Sequence, residues 1–339
     1  MPWDSIKLND GTQIPSIGFG TWTLGNGQNV IDQVDQAISL GFSHVDTAQS
    51  YRNEVEAGKA IRENGLAREE IYVTTKYSGL DGLDIETSIQ NSLANLGISY
   101  VDLYLIHHPR LATPDIPTAW AKMEALQKKG FAKSIGVSNF GVEDLKILLA
   151  SAKIKPVANQ ILWHPYVYAQ QAPILEFSKQ NGVVAVAGSN SLRHTHPYIG
   201  IVIEGYSTLM QVISSPQVKE ILMSVLSSPI TRSPGGPVDK PLSEIAERLD
   251  ATPDQILLAW AKAKGVVVVT TSSKESRLKG YQRAGDLKLT AADISAIDNA
   301  GAEGAKRSTA RVFIRRAALA TLAVAMALRV LTYFDVQIL

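Results

Sequence analysis

Short apolar runs alternate with longer amphipathic segments along most of the chain. Seven of these runs are predicted to be strands, at 17–20, 44–46, 71–75, 103–107, 134–138, 158–162 and 266–270. Apolar residues recur with helical periodicity between them, which predicts helices at 28–40, 52–64, 84–96, 117–129 and 142–152. Because buried parallel strands are continuous apolar runs, this alternation predicts an α/β fold built on a parallel sheet.

The spacing of the units decides between a closed barrel and an open sheet. Asp46, Lys76, His107 and Ser138 lie at or just after the ends of successive strands, and they are 30, 31 and 31 residues apart. Eight units in about 250 residues, the usual size of a (β/α)8 barrel, need about 31 residues each. An open dinucleotide-binding sheet would carry G-x-G-x-x-G after its first strand, and residues 18–25 do not contain it. We therefore expect a (β/α)8 (TIM) barrel.

Two regions lie outside this regular repeat. The segment SIKL, the turn Asn9-Asp10-Gly11 and the segment TQIP predict an N-terminal β-hairpin that forms a lid. Around 183–227 the chain is too long for its share of the barrel, and 183–188 and 201–205 compete for strand 7. Insertions in barrels usually lie on βα loops and shape the substrate site. The alternative to a functional insertion is that this stretch is unnecessary to the fold or comes from a faulty gene model.

Composition excludes several classes of function. Hydrophobic residues make up 45% of the chain and charged residues 19%, so a large core can be buried. The formal net charge of +1 gives no field that would attract nucleic acid, and we expect no nucleic-acid partner. The absence of cysteine excludes disulfides, thiolate zinc sites and cysteine nucleophiles. The N-terminal segment has no apolar secretory region, so we expect a cytoplasmic barrel.

The C-terminal segment differs from the rest of the chain. Residues 317–334 are nearly all apolar, and the linker at 305–316 carries five basic residues and no acid. A helix over 317–334 would be about 27 Å long, close to the ~30 Å core of a membrane. It is predicted to anchor the barrel to a membrane, or alternatively to pack against the barrel beside helices at 245–263 and 290–300. An amphipathic surface helix is disfavoured, because apolar residues surround the axis.

Polar residues at the predicted strand ends suggest a chemistry. Hydride reduction of a carbonyl needs a proton donor for the developing alkoxide. A phenol serves only if its pKa, ordinarily about 10, is lowered, which a nearby ammonium does, and a carboxylate holds the ammonium in place. Tyr51, Lys76 and Asp46 provide these groups, and His107 can hydrogen-bond the carbonyl oxygen. Each residue alone is more often structural, but ring closure would direct all four at one mouth.

Six segments of the chain together match the pattern of one known family. They are GFGTW (18–22), HVDTAQSYRNE (44–54), TTKY (74–77), YVDLYLIHHP (100–109), IGVSNF (135–140) and NQILWHPY (159–166). Through these segments the sequence resembles the aldo-keto reductase family. The resemblance is strong over 5–182 and looser over 228–300. It implies a barrel domain at 1–304, NADPH as the cofactor and the reduction of aldehydes or ketones to alcohols.

The resemblance also implies roles for single residues. The catalytic residues are Asp46, Tyr51, Lys76 and His107, with Tyr51 as the acid. The residues that bind the nicotinamide carboxamide are Ser138, Asn139 and Gln160. Trp22 and His107 line the substrate pocket, whereas His108 and His164 are expected to pack structurally. No metal site is implied, and the H-x-H spacing of His194 and His196 does not indicate zinc by itself.

Two departures from the family pattern concern the cofactor. The family stacks a tyrosine at the end of strand 7 on the nicotinamide ring, and EGYSTL (204–209) offers Tyr206, which favours 201–205 as strand 7. After strand 8, Arg277 stands where the family meets the 2′-phosphate, with Ser272 and Ser273 nearby. The usual lysine is replaced by Thr271, so the preference for NADPH over NADH is expected to be modest.

Rival functions remain at this stage. A barrel glycosidase would need two opposed carboxylates, and Asp46 is better explained as the partner of Lys76. A non-enzymatic alternative is an NADPH-binding regulatory subunit of a membrane complex. The favoured interpretation is a carbonyl reductase that acts as a monomer on a small-molecule substrate.

Overall fold

A closed barrel of parallel strands forms the centre of the computed structural model, which describes residues 3–22, 24–181, 202–206 and 236–306. The strands are β1 (Ser5–Lys7), β2 (Gln13–Pro15), β3 (Ile17–Gly20), β4 (His44–Asp46), β5 (Tyr72–Tyr77), β6 (Val101–Ile106), β7 (Ala132–Ser138), β8 (Ala158–Leu162), β9 (Val202–Tyr206) and β10 (Val267–Thr270). The helices are α1 (Gln28–Ser39), α2 (Glu54–Glu63), α3 (Ile85–Leu96), α4 (Ile116–Lys128), α5 (Val142–Ser151), α6 (Pro165–Gln180), α7 (Asp239–Arg248), α8 (Pro253–Ala263), α9 (Glu275–Ala284) and α10 (291–306).

The expected (β/α)8 barrel is confirmed. The strands β3 to β10 pair in chain order, and β10 closes the ring by pairing with β3. Strand β9 occupies the seventh barrel position, between β8 and β10, as the choice of 201–205 predicts. The competing segment 183–188 and the rest of the 183–227 region lie outside the described residues, as do His194 and His196.

Side chains alternate between the barrel interior and the helix layer, because successive residues of a strand point to opposite faces. On β6, Tyr104 and Ile106 join the core shared with the helices, whereas Leu103 and Leu105 join a second cluster inside the barrel. This interior cluster includes residues of the N-terminal hairpin. The catalytic candidates on β4 and β5 continue the inward-facing rows.

The predicted hairpin is confirmed, and it contributes to the barrel interior. Strands β1 and β2 pair antiparallel, with Ile6 opposite Ile14. Leu8 and Ile14 are fully buried, and Ser134 Oγ donates to Asp10 Oδ2 at 2.6 Å. Because Ser134 lies near the start of β7, the hairpin closes the amino-terminal end of the barrel. The carboxyl ends of the strands form the opposite mouth.

Two glycines on the strands make room for interior side chains. A Cβ at Gly18 would lie 2.7 Å from Nδ1 of His44, which is fully buried. A Cβ at Gly136 would lie 2.7 Å from the carbonyl oxygen of Ala158 and 2.8 Å from Leu105 Cδ2. Real Cβ atoms essentially never make contacts this short. A larger residue at Gly18 would therefore displace the His44 side chain, and one at Gly136 would displace the backbone of the neighbouring strand at Ala158.

One helix prediction is wrong in its extent. The segment 245–263 forms part of two helices, α7 and α8, which residues 249–252 separate. Asp250 has a left-handed φ of 48°, which ends α7, and Pro253 occupies the first turn of α8. Thr252 N–H donates to Gln255 Oε1 at 2.8 Å and so caps the new helix. The helix-start residues Thr252 and Pro253 therefore divide the apolar segment 245–263 between two helices.

The predicted C-terminal helix at 290–300 is confirmed as α10, which is helical to 306, the last described residue. The remainder of the 305–316 linker and the 317–334 segment lie outside the described residues. Within the ranges that the structure describes, no helix is long and apolar enough to cross a membrane. Anchoring or packing by 317–334 therefore stays a prediction.

Candidate active site

A buried ion pair between Asp46 and Lys76 lies at the mouth of the barrel. Asp46 ends β4 opposite Thr74, and Lys76 follows two residues later on the same face of β5. Lys76 Nζ donates to Asp46 Oδ1 at 2.6 Å and to the carbonyl oxygen of Thr47 at 2.9 Å. Lys76 is fully buried and Asp46 is 3% exposed. Since an isolated buried charge is very unfavourable, each of these charges needs the other as its partner at this position.

Hydrogen bonds extend this pair across the mouth. Gln160 Nε2 donates to Asp46 Oδ2 at 2.8 Å, so both carboxylate oxygens have donors. Ser138 lies opposite Gln160 in the sheet, and its Oγ donates to the Gln160 carbonyl oxygen at 2.8 Å. Asn139 has a left-handed φ of 62°, and its Nδ2 donates to the carbonyl oxygen of His107 at 2.9 Å. The predicted nicotinamide-binding residues therefore adjoin the predicted catalytic residues.

Tyr51 and His107 complete the group of four. Tyr51 ends a one-turn helix, Gln49–Tyr51, in the loop after β4. Its ring centroid lies 5.1 Å from Lys76 Nζ and 5.7 Å from the His107 ring, which it meets edge-on at 77°. His107 directly follows β6. The structure thus brings Asp46, Tyr51, Lys76 and His107 together, as ring closure requires.

A buried polar cluster holds the loops that carry Tyr51 and Trp22. Asn53 Nδ2 donates to the carbonyl oxygens of Thr21, at 2.9 Å, and Gly25, at 3.0 Å. Thr21 Oγ1 donates back to Asn53 Oδ1 at 3.0 Å. The loop after β3 is thereby fixed to the loop after β4. Trp22 lies half-buried in the first of these loops, two residues beyond β3 at the mouth.

Two serines at the mouth are absent from the sequence prediction. Ser78 Oγ lies 3.0 Å from Nδ1 of His107, and Ser50 Oγ lies 3.4 Å from the same atom. Burial, reinforced by the ammonium of Lys76, lowers the pKa of His107 to about 3. The ring is therefore neutral at ordinary pH. Ser78 could have been found from the alternation of β5, since it follows Thr74 and Lys76 in steps of two.

Comparison with known proteins decides the family. A model described as the aldo/keto reductase family matches residues 16–195 and 206–302. The chain belongs to the aldo-keto reductase family. It is 32% identical over 304 residues to an NAD/NADP-dependent indole-3-acetaldehyde reductase of Schizosaccharomyces pombe, which spans 87% of this chain and 94% of the relative. It is 33% identical over 331 residues to glycerol 2-dehydrogenase (NADP(+)) of Saccharomyces cerevisiae, with 89% and 92% covered.

Solved structures agree with this assignment. An aldo-keto reductase of Bombyx mori, in complex with NADP, superposes with a TM-score of 0.70 at 29% identity. The match covers 88% of this chain and 92% of that one. This aldo-keto reductase is therefore an oxidoreductase whose family and relatives support action on carbonyl groups.

The remaining cofactor candidates of this aldo-keto reductase lie after β9 and β10. The backbone of Tyr206 lies at the end of β9, opposite Leu162 and Val269. Ser272 is buried and its Oγ accepts from the N–H of Lys274 at 3.1 Å, whereas Ser273 is exposed. Arg277 lies in the first turn of α9. Its guanidinium is paired with Asp254, which sequence reasoning did not identify.

His108 and His164 lie where packing explains them. Nδ1 of His108 accepts from the N–H of Arg110 at 3.2 Å and caps the one-turn helix Pro109–Leu111. His164 is 4% exposed and meets the ring of Tyr166 edge-on. Neither histidine joins the group around Tyr51 through the contacts described above.

The buried ion pair predicts that removing one of its charges destabilises the protein more than removing both. Lys76→Met removes the ammonium and leaves Asp46 buried without its main partner, so the free energy of unfolding should fall by about 3–5 kcal/mol. The double variant Asp46→Asn with Lys76→Met should lose less, because no uncompensated charge remains. Urea denaturation at pH 7 measures both losses.

A surface pair of the same chemistry provides the control. Lys146 and Glu143 are joined on the exposed face of α5, and Lys146→Met should change stability by less than about 1 kcal/mol. Equal losses for the single variant Lys76→Met and the double variant would contradict the proposed dependence of each charge on the other.

Proposed function

We propose that this aldo-keto reductase reduces aldehydes or ketones to alcohols, with NADPH as hydride donor and Tyr51 as proton donor. The observation that carries the proposal is the meeting of Tyr51, Lys76, Asp46 and His107 at the barrel mouth. The relatives are named as reductases or dehydrogenases that use NAD or NADP, which supports the same class of reaction. The substrate is a small carbonyl compound that contacts Trp22 and His107.

The protein groups divide the work of proton transfer. When bound, NADPH supplies the hydride. The Tyr51 hydroxyl donates its proton to the carbonyl oxygen as negative charge develops there. The ammonium of Lys76, 5.1 Å from the centre of the ring, stabilises the phenolate that remains. Asp46 and, through it, Gln160 keep Lys76 in that position.

His107 acts in this mechanism as a neutral hydrogen-bond donor. Its pKa of about 3 keeps the ring uncharged, so it cannot compete with Tyr51 as an acid. The hydroxyls of Ser50 and Ser78 approach Nδ1. The proposed mechanism assigns Nδ1 as the acceptor of a serine hydroxyl, so that the neutral ring carries its own hydrogen on Nε2. That N–H orients the carbonyl oxygen toward Tyr51 and stabilises its developing charge.

The residues along the mouth suit a nicotinamide dinucleotide. Ser138, Asn139 and Gln160 form a polar group beside His107 that would bind the carboxamide. Tyr206, at the end of β9, would stack on the nicotinamide ring. Among the described residues no partner hydrogen-bonds the buried hydroxyl of Thr271, which directly follows β10. An unsatisfied buried hydroxyl at this point fits a polar ligand.

The opposite end of the cofactor would lie at the start of α9. Helix N-termini favour anions, and Arg277 adds a guanidinium that is suited to phosphate. Ser272 and Ser273 precede the helix and supply further donors. A lysine of the usual family pattern is replaced here by Thr271. The resulting preference for NADPH over NADH should therefore be modest.

The first prediction concerns the proton donor. Tyr51→Phe should lower kcat by at least about 10², because it removes the general acid, and it should leave the Kd for NADPH nearly unchanged. Steady-state oxidation of NADPH with a panel of aldehydes measures kcat, and fluorescence titration measures Kd. Tyr77→Phe is the matched control, since its hydroxyl donates to the Leu83 carbonyl oxygen on the helix side of β5. Near-wild-type turnover by Tyr51→Phe would refute the mechanism.

The same assay separates the enzyme from a regulatory subunit. Turnover of any aldehyde by the wild-type protein supports the enzyme. Tight NADPH binding without turnover across the panel would instead support the alternative, a non-catalytic NADPH-binding subunit of a membrane complex. The group of four at the mouth favours the enzyme.

The second prediction concerns Arg277. A charge-assisted hydrogen bond contributes about 1.5–3 kcal/mol, or roughly 10- to 150-fold in affinity. Arg277→Ala should weaken NADPH binding toward the lower end of that range and leave NADH almost unchanged, as measured by calorimetry. Lys279→Ala removes a nearby exposed cation of α9 and should change neither affinity. Equal losses for both cofactors would show that Arg277 does not bind the 2′-phosphate.

A further inference from the structure

Asp254 and Arg277 form an ion pair between the first turns of α8 and α9. Nε and Nη2 of Arg277 both donate to Asp254 Oδ2, each at 3.2 Å. The Arg277 side chain is 42% exposed and that of Asp254 is 20% exposed. The guanidinium is therefore accessible to a ligand, but two of its N–H groups already face a carboxylate.

The carboxylate of Asp254 is held in place independently of Arg277. Thr252 Oγ1 donates to Asp254 Oδ1, and the first turn of a helix favours an anion. Gln255 Nε2 donates to the Gly280 carbonyl oxygen at 2.8 Å, which fixes the start of α8 against α9. A ligand that approaches Arg277 therefore meets a negative charge that cannot easily move away.

Arg277 also contacts an aromatic ring. Its guanidinium carbon lies 5.5 Å from the ring centroid of Tyr281, one turn further along α9. Tyr281 is fully buried, so this ring has little freedom to move. The guanidinium is thus held by contacts with a carboxylate and with an aromatic ring.

We propose that Asp254 sets the cofactor preference of this protein by competing with the 2′-phosphate of NADPH for Arg277. The inference rests on the proposed function. A 2′-phosphate must either displace the carboxylate or bind beside it against like-charge repulsion, and both reduce the affinity. NADH has a hydroxyl at this position and leaves the ion pair undisturbed. Asp254 therefore reduces the difference between the affinities for NADPH and NADH, and the protein binds both cofactors.

Calorimetric titration of the full chain with NADPH, NADH and 2′-AMP tests the proposal. Asp254→Asn keeps the size of the side chain and removes its charge. The variant should bind NADPH and 2′-AMP about 5- to 20-fold more tightly than the wild type, as expected for losing a like charge near the phosphate. NADH affinity should stay within about twofold, and this also reports that the variant is folded.

Glu275→Gln is the matched control. Glu275 is another carboxylate in the first turn of α9, but it pairs with Lys279 and not with Arg277. The control should leave NADPH affinity within about twofold of the wild type. An equal gain for Glu275→Gln and Asp254→Asn would overturn the proposal, because general surface charge would then explain both.

The route through Arg277 has its own test. In an Arg277→Ala background, Asp254→Asn should raise NADPH affinity by clearly less than in the wild type, because only the like-charge repulsion is then relieved and no guanidinium is released for the phosphate. A gain as large as in the wild type would overturn the proposal. If the wild type binds both cofactors and Asp254→Asn changes neither, the inference fails while the proposed function stands. If the wild type binds neither cofactor, the proposed function itself fails.

Discussion

The rest of the mouth depends on the buried ion pair of Asp46 and Lys76. Neither charge would be stable in the barrel alone, and their contact sets where the ammonium can lie. The short helix that ends at Tyr51 places its ring near that ammonium. From the far side of the barrel, Gln160 donates a hydrogen bond to the second carboxylate oxygen of Asp46. The pair therefore joins the ends of β4, β5 and β8 and the loop after β4 into one arrangement. Stability and chemistry are coupled at Lys76. Its ammonium would assist Tyr51, and the same ammonium must be neutralised by Asp46 for the fold to be stable.

The barrel makes this arrangement possible by directing all strand ends to one side. A cluster of apolar residues fills the barrel interior near the amino-terminal end, and the hairpin contributes Leu8 and Ile14 to it. The inward-facing rows become polar toward the carboxyl ends. On β5 the sequence changes from Tyr72 through Thr74 to Lys76 in two steps. Along this one strand, the inward-facing side chains thus change from residues that pack in the core to a catalytic candidate.

Much of this could be predicted from the sequence, for physical reasons. The near-constant spacing of Asp46, Lys76, His107 and Ser138 predicts the barrel. Each β/α unit of a barrel has the same parts and so needs a similar number of residues. The placement of the four candidates follows from ring closure. The apolar runs at 183–188 and 201–205 suit strand 7 equally well. Only the family pattern, which Tyr206 completes, predicts the strand at 201–205.

Other features depend on contacts between distant segments. The approach of Ser50 to His107 depends on loop geometry that periodicity does not encode, whereas the alternation of β5 could have indicated Ser78. The pairing of Asp254 with Arg277 joins two helices, and Asp254 alone is typical of a helix's first turn. By contrast, the division of 245–263 is local, because the positive φ at Asp250 and the helix start at Thr252 and Pro253 interrupt a continuous apolar pattern. The apolar pattern alone does not reveal this break.

The burial that keeps His107 neutral has a counterpart elsewhere in the fold. His44 and His164 are also buried, and the pKa of each is lowered from an ordinary 6.5 to about 4 because burial disfavours the charged ring. Below pH 6.5 the unfolded chain takes up protons at these three positions that the folded chain does not. The proton linkage therefore lowers stability progressively as the pH falls from about 6.5 toward 4, and it vanishes above that range, where all three rings are neutral in both states. Acid lability, measurable as a falling urea midpoint, follows from a barrel that holds its histidines uncharged.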